Sequence, residues 1–259
     1  MLHQLRGTGR TLYHRAVRRK VAKEDCNAAV IGEGILYRTQ DFGIAVAHAH
    51  DVFGDSLTEY NFRANSHYFD YVAKELNLKI INLGVSSTGY KEDGVAESFY
   101  KRMERSIKDI NFDIFTIFGS FNDLGKGYTL GKPTDNTTDT ICGCISLTID
   151  VFRKVKPLNK IGLVTPTIWR DGVYYGDVPV TRKDLDDYVE ALLQIAKLKR
   201  IPILDLYHDS GLDPNIDIVL QKFYQEDGIQ DAGVHPNSLG HKFMYPLWRE
   251  FIKQFIDYL

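Results

Sequence analysis

The chain has 259 residues, of which 44% are hydrophobic and 25% are charged, and its formal net charge at pH 7 is −2. This composition is typical of a globular protein with a buried core and excludes a disordered or fibrous chain. The nearly balanced charge gives no preference for nucleic acid. No apolar run approaches the length of a membrane span, and no signal-peptide pattern follows the start, so we expect no passage through a membrane.

Residues 1–43 do not follow the pattern of the rest of the chain, and we predict an extension or arm of unknown role. They contain the basic run RAVRRKVAK, residues 15–23, which we interpret as a solvated helix face. Residues 44–259 are predicted to form one domain. The three cysteines, Cys26, Cys142 and Cys144, are too few for a disulfide framework and lack zinc-site spacing, so free thiols are expected.

From residue 44 onward, short apolar runs rich in β-branched residues alternate with longer segments of helical periodicity. This alternation is typical of a parallel sheet covered by helices on both faces. The predicted strands are Ile44–Phe53, Lys79–Leu83, Phe112–Phe118, Lys160–Thr165 and Ile201–Leu206. The sequence therefore predicts an α/β fold with a five-stranded parallel sheet.

Helices are predicted between and after these strands. After the first strand, Phe62, Phe69, Ala73 and Leu76 recur at helical spacing and are expected to share one buried face. Further helices are predicted near residues 92–109, 138–156 and 182–199. In the final helix, Ser238 is the predicted N-cap and Pro246 a predicted kink. Its apolar stripe is formed by Phe243, Leu247, Trp248, Phe251, Ile252 and Phe255.

The strongest local signal is Phe53-Gly54-Asp55-Ser56-Leu57-Thr58, at the end of the first strand and ahead of a helix that Thr58 could cap. A serine on a tight turn at the carboxyl end of a strand exposes its hydroxyl and directs its N–H toward the group that it attacks. Ser56 is therefore a candidate nucleophile. A bare Gly-Asp-Ser tripeptide, however, is more often an ordinary turn.

A serine nucleophile needs a base and, for acyl transfer, hydrogen-bond donors at the position of the oxyanion. His235 lies after the last strand and before the final helix, where a loop can fold over the same sheet edge. Gly84 and Asn122 follow the second and third strands, so the N–H groups of Gly84 and Ser56 and the Asn122 amide can converge. Taken singly, each of these residues also fits an ordinary turn, cap or surface loop.

In this order, Gly54-Asp55-Ser56-Leu57, the Gly84 segment, Asn122-Asp123 and His235-Pro236-Asn237 resemble the four sequence blocks of SGNH/GDSL hydrolases, over residues 45–259. The resemblance implies a flavodoxin-like, three-layer α/β/α fold, ester hydrolysis without metal or other cofactor, and a Ser-His-Asp triad. It assigns Ser56 as nucleophile and His235 as base. The oxyanion hole would consist of Ser56 N–H, Gly84 N–H and the Asn122 side chain, with Asp55 shaping the turn.

Two positions depart from the family pattern. The triad acid usually lies three residues before the histidine, where this chain has Ala232, and the nearest carboxylate is Asp231, one residue further away. A bulge at Gly233 could bring Asp231 under the imidazole, and we expect Asp231 to be the acid; otherwise a backbone carbonyl would orient His235. Ser120 replaces a glycine that often precedes the asparagine by two residues, which is expected to narrow the pocket.

Two other functions remain open from the sequence. His48 and His50 alternate onto one face of the first strand and could ligate a metal in a metal-dependent hydrolase, although packing against the N-terminal segment explains the pair better. Alternatively, the displaced acid fits a carbohydrate- or partner-binding module that keeps the fold with an idle site. If the serine mechanism holds, a neutral histidine is required and activity should fall below about pH 6.

The expected substrate is a small ester or an acylated carbohydrate that carries a short acyl group, such as acetyl. Residues 125–138 and 169–175 follow the third and fourth strands, where substrate loops belong, and their polar and aromatic mixture suits a sugar better than a long acyl chain. SGNH domains also occur in proteins that process bacterial surface polysaccharides, including phage tail components. The chain could therefore act in the cytoplasm or as part of such an assembly.

Overall fold

The computed structural model describes residues 37–38, 44–45, 48–91, 97–119, 121–173, 176–225 and 231–257. The chain divides into two compact units, Met1–Val46 and Ala47–Leu259. In the first unit, strand β1 (Tyr37–Arg38) pairs antiparallel with β2 (Ile44–Ala45). The basic run and Cys26 lie outside the described residues.

The second unit is built on one sheet of five parallel strands, as the sequence predicts. These strands are β3 (Ala49–Gly54), β4 (Lys79–Gly84), β5 (Ile114–Phe118), β6 (Lys160–Val164) and β7 (Ile203–Leu204), in the spatial order β4-β3-β5-β6-β7. Gly54 at the end of β3 pairs with both Gly84 and Phe118. The carboxyl ends of the three strands therefore reach the same level, and the loops that follow them meet at one edge.

Helices cover both faces of this sheet. They are α1 (Tyr68–Leu76), α2 (Phe99–Ser106, continued by a 3-10 turn at Ile107–Asp109), α3 (Asn122–Gly125), α4 (Ile141–Val155), α5 (Arg182–Lys199), α6 (Leu206–Asp209), α7 (Asp217–Tyr224) and α8 (Ser238–Ile256). One buried cluster packs α2, α4 and α5 on Phe53 and Phe115, and the other packs α1 and α8 on Val52 and Phe118. Successive residues of β3 thus serve opposite cores, which produces the predicted three-layer α/β/α fold.

The prediction for the first strand was wrong in its bounds. Ile44–Ala45 belongs to the two-stranded sheet of the first unit, and the strand of the main sheet begins only at Ala49. The first helix also begins later than predicted, at Tyr68, so Phe62 lies outside it and is 80% exposed. Of the predicted helix face, Phe69 is buried and Ala73 packs against the core.

The final helix begins as the sequence suggests but with a different cap. The side chain of Asn237, and not that of Ser238, accepts hydrogen bonds from the N–H groups of Leu239 and Gly240. Helix α8 runs through Pro246 without interruption. Trp248 of the apolar stripe is fully buried.

Two further sequence predictions concern thiols and membranes. Cys142 and Cys144 are free and buried in α4, as predicted. None of the helices in the described part of the chain combines the length and the apolar character that a membrane-spanning segment requires.

Candidate active site

Ser56 lies in a tight turn directly after β3. Asp55 closes this turn, because its Oδ1 accepts a hydrogen bond from Leu57 N–H at 2.8 Å and its carbonyl accepts from Glu59 N–H at 2.9 Å. A side chain at position 54 would meet Phe118 O at 2.5 Å, so only glycine fits at the end of this strand. The predicted helix at Thr58 is absent from this segment, which continues as turns up to α1.

The structure brings Ser56, His235 and Asp231 together. Ser56 Oγ lies 2.8 Å from His235 Nε2, and His235 Nδ1 lies 2.9 Å from Asp231 Oδ2. Asp231 and His235 are 5% and 6% exposed, respectively, so water screens this pair weakly. A hydroxyl, an imidazole and a carboxylate in this order form the arrangement that activates a serine.

The loop before His235 wraps around the Asp231 carboxylate. Oδ1 accepts hydrogen bonds from the backbone N–H groups of Gly233, Val234 and His235, at 2.9, 2.7 and 3.0 Å. Gly233 allows this curvature with a φ of +101°. Burial alone would raise the pKa of Asp231, but the hydrogen bond and charge of His235, together with the backbone N–H groups, lower it below its usual range. Asp231 is therefore held as a carboxylate.

Contrary to the prediction, the N–H of Gly84 does not reach the site. Its N–H donates to Asn82 Oδ1 at 2.8 Å, and a side chain at position 84 would meet the backbone N of Glu59 at 2.3 Å. Gly84 therefore provides the close contact between β4 and the turn that follows Ser56. Its N–H is not directed toward an oxyanion near Ser56.

Asn122 reaches the site from the start of α3. Its Nδ2 donates to Thr88 O at 2.9 Å and to Asp55 Oδ2 at 3.1 Å, which fixes the orientation of the amide. Asp55 thus contributes one oxygen to the turn and the other to Asn122. Ser120, the second departure in the sequence, lies outside the described residues.

Ser87 is a residue of the site that sequence reasoning missed. It lies in the loop after β4, lines the same cavity as Ser56 and Asn122, and has a left-handed backbone with φ of +61°. Within the described part of the chain, no acceptor binds its N–H. A serine with a left-handed backbone conformation is uncommon, and a single sequence carries no pattern that predicts this conformation.

Arg102 is a second residue that the sequence did not single out. Its buried guanidinium donates to Leu83 O at 2.8 Å, to Gly54 O at 3.0 Å and to Thr88 Oγ1 at 3.2 Å. It also lies over the Phe53 ring, 4.2 Å from the centroid. Burial lowers the pKa of Arg102 to about 10, so it is charged at neutral pH and joins the ends of β3 and β4 below the site.

The cavity beside Ser56 is small, about 90 Å³. It is lined by Asp55, Ser56, Leu57, Arg63, Ser86, Ser87, Phe121, Asn122, Pro166, Trp169, Val234 and His235. Trp169 belongs to one of the two predicted substrate loops, whereas none of residues 125–138 is part of this lining. A larger cavity of about 570 Å³ lies at the opposite, amino-terminal edge of the sheet beside Lys160 and Ile201, and no histidine or serine lines it.

Among the described residues, His48 and His50 belong to no group of side chains that could hold a metal. His50 is buried and its Nε2 lies 2.9 Å from Thr116 Oγ1, whereas His48 lies 3.4 Å from Asp113. Among the residues that the structure describes, no group of three or more His, Cys, Asp or Glu side chains is placed to hold an ion.

A comparison with protein families identifies the chain. The GDSL-like Lipase/Acylhydrolase family matches residues 52–243, which include Ser56, Asn122 and His235. The chain belongs to this family. A search of curated proteins found no match to this chain.

Solved structures share the fold of this GDSL-like protein. A protein from Lactobacillus plantarum has a TM-score of 0.66 and 22% identity, with 81% of this chain and 99% of that chain covered. A mutant acetyl-xylooligosaccharide esterase from Geobacillus has a TM-score of 0.53 and 22% identity, with coverages of 79% and 94%. An inhibitor-bound aryl esterase from M. smegmatis has a TM-score of 0.54 and 14% identity, with coverages of 81% and 100%.

Proposed function

We propose that the protein is a serine ester hydrolase that removes short acyl groups, with acetyl esters of a carbohydrate or small alcohol as substrates. The observation that carries this proposal is the 2.8 Å contact between Ser56 Oγ and His235 Nε2. On the other side of the ring, His235 Nδ1 lies 2.9 Å from the Asp231 carboxylate. Membership of the GDSL-like family supports ester hydrolysis as the reaction.

In the proposed reaction, His235 takes the proton of Ser56 as Oγ attacks the ester carbonyl. Asp231 accepts from Nδ1 and stabilises the imidazolium that forms. His235 then donates the proton to the leaving alcohol. Water attacks the acyl-enzyme in the same way, and free Ser56 and a carboxylic acid result.

The negative charge that develops on the carbonyl oxygen needs donors at its position. We assign this role to the N–H groups of Ser56 and Ser87 and to the Asn122 amide, three groups of one cavity lining. Asn122 would exchange its 3.1 Å bond with Asp55 for the oxyanion while it keeps its bond with Thr88 O. The Ser87 N–H replaces the Gly84 N–H of the original prediction.

The size of the cavity supports a short acyl group. A volume of about 90 Å³ beside Ser56 accommodates a small group but not an extended hydrocarbon chain. Trp169, which is 4% exposed, forms one wall with Pro166 and Phe121. A related fold belongs to an acetyl-xylooligosaccharide esterase, which is consistent with acetyl release from a sugar.

The test is hydrolysis of p-nitrophenyl esters of increasing chain length and of an acetylated polysaccharide. We expect wild type to cleave the acetyl esters best, and EDTA to leave the rate unchanged. Ser56→Ala should lose activity, whereas the control Ser106→Ala, at the end of α2, should retain it. Equal activity of wild type and Ser56→Ala, or binding of the polysaccharide without turnover, would contradict the proposal.

A further inference from the structure

Arg63 lies in the wall of the active-site cavity, on a loop that is fixed at both ends. At one end, Asn61 donates to the carbonyl of Ser56 at 2.8 Å and accepts from Arg63 N–H at 3.0 Å. At the other end, Ser238 Oγ accepts from Asn65 N–H at 2.8 Å. The arginine is therefore held at a defined place relative to the nucleophile.

The guanidinium of Arg63 has a defined orientation, but not all of its N–H groups have an acceptor among the described residues. Its Nε lies 3.6 Å from Asp231 Oδ2, and its Cζ lies 4.7 Å from the centroid of the Phe62 ring. Within the described part of the chain, no acceptor is bonded to its two terminal nitrogens. The side chain is 24% exposed, so these donors remain accessible from the cavity.

The triad does not need this cation to complete its hydrogen bonds. Both oxygens of Asp231 already accept protein N–H groups, three at Oδ1 and that of His235 at Oδ2. At 3.6 Å, the Arg63 contact is longer than a hydrogen bond. The two neighbouring carboxylates are also engaged, Asp55 with Leu57 and Asn122, and Glu59 with Ser86.

We propose that Arg63 selects substrates whose alcohol part carries an anionic group, a carboxylate or a phosphate. This inference rests on the proposed ester hydrolase function and deepens it. His235 protonates the leaving alcohol in the proposed reaction, and Arg63 lines the same cavity as His235 and Ser56, with its Nε 3.6 Å from Asp231 Oδ2. A planar guanidinium whose two terminal nitrogens have no acceptor among the described residues matches the two oxygens of such an anion. Acylated acidic sugars and acylated hydroxy acids belong to this class.

The test compares acetyl esters that carry an anionic group with a neutral ester of similar shape. The probes are 4-acetoxybenzoate, its neutral isostere 4-acetoxybenzamide, and 4-acetoxyphenyl phosphate, each with wild type, Arg63→Met and the control Arg105→Met on the exposed face of α2. Wild type and the control should prefer the anionic esters through a lower KM. Arg63→Met should lower the ratio of kcat/KM for the anionic over the neutral ester by about 10- to 100-fold. The two anionic probes distinguish carboxylate from phosphate.

Two results would overturn the inference. An unchanged ratio in Arg63→Met would show that the cation does not contact the substrate. An equal loss of kcat on both esters, with a shifted pH profile, would make Arg63 a positioning residue for Asp231.

If wild type cleaves none of the esters, the proposed function fails, and binding of 4-hydroxybenzoate is measured by calorimetry. Weaker binding in Arg63→Met would then support the anion site by itself, and equal binding would contradict it.

Discussion

The two oxygens of Asp231 serve different purposes. Oδ1 accepts three backbone N–H groups of the loop that follows, and Oδ2 accepts from His235. The first set of bonds bends the chain so that a carboxylate four residues before the histidine reaches Nδ1. The same bonds stabilise the ionised form, which is the form that the proposed reaction requires beside a protonated His235.

Asp231→Asn should therefore lower kcat strongly with little change in KM. The amide still offers an oxygen to the loop, but it lacks the charge that stabilises the imidazolium and favours the reactive tautomer. We expect a loss of about 10²- to 10⁴-fold in kcat. Steady-state kinetics on a short acyl ester measure it.

The matched control is Asp213→Asn, because Asp213 also accepts a backbone N–H of its own loop, from Asn215 at 3.0 Å, but does not line the cavity. Its kcat should stay at the wild-type value. Wild-type kcat in Asp231→Asn would show that His235 works without a carboxylate.

The sequence singled out Ser56 and Asn122 because both follow strand ends, and strand ends follow from periodicity. It singled out His235 because this residue lies in the loop before the final helix. It was wrong about Gly84, because the Gly84 N–H donates to the side-chain oxygen of Asn82, and the orientation of that side chain depends on the folded loop. It missed Ser87 for the same reason, since its left-handed backbone is set by the loop as a whole.

At the level of secondary structure, the site depends on how the ends of β3 and β4 are joined. Arg102, from helix α2, donates to a carbonyl at each strand end and to Thr88, whose own carbonyl holds Asn122. One buried cation therefore connects the turn at Ser56, the Ser87 loop and the Asn122 amide. Its role is to position these elements.

Arg102→Met should destabilise the fold and misplace the loops around Ser56. Two carbonyls and a hydroxyl would lose a charged donor in a buried place, and we expect a loss of about 3 kcal/mol in the free energy of unfolding. Urea unfolding measures it. Arg105→Met, three residues further along α2 with its side chain 63% exposed, should change stability by less than about 0.5 kcal/mol.

Periodicity predicted four of the five sheet strands and helix α5 close to their observed positions, because those segments bury regular apolar faces. It failed where apolar residues continue across a break. Ile44–Phe53 forms one run rich in apolar residues, yet its first residues pair with β1 and only Ala49 onward pairs with β4 and β5. Strand partners, and not propensity, decide such a boundary.

On the scale of the whole molecule, buried titratable groups link stability to pH. Asp51 of β3 is fully buried, and neither of its oxygens has a hydrogen-bond partner among the described residues. Burial raises its pKa from 3.8 to about 7, and the charges of Lys156 and Lys79 oppose the shift only in part. Between these two pKa values the folded chain binds a proton that the unfolded chain releases, so this group costs stability as pH rises.

Asp51→Asn removes this titration and should be more stable than wild type by an amount that increases with pH. Between pH 5 and pH 8 the difference in unfolding free energy should grow by about 2.5 kcal/mol. Contributions that both proteins share cancel in this difference. Urea unfolding at both pH values measures the effect, with Asp109→Asn at the exposed end of the 3-10 turn as control. A difference that does not change with pH would mean that Asp51 is ionised in the fold.

The most direct measurement for the whole account is covalent labelling with a fluorophosphonate, followed by intact mass and peptide mapping. A serine activated by His235 should react, since the probe requires a nucleophilic hydroxyl. We predict a single adduct on Ser56, slower labelling in His235→Asn and none in Ser56→Ala. No adduct on wild-type protein, or an adduct that persists in Ser56→Ala, would contradict the assignment of Ser56 as nucleophile.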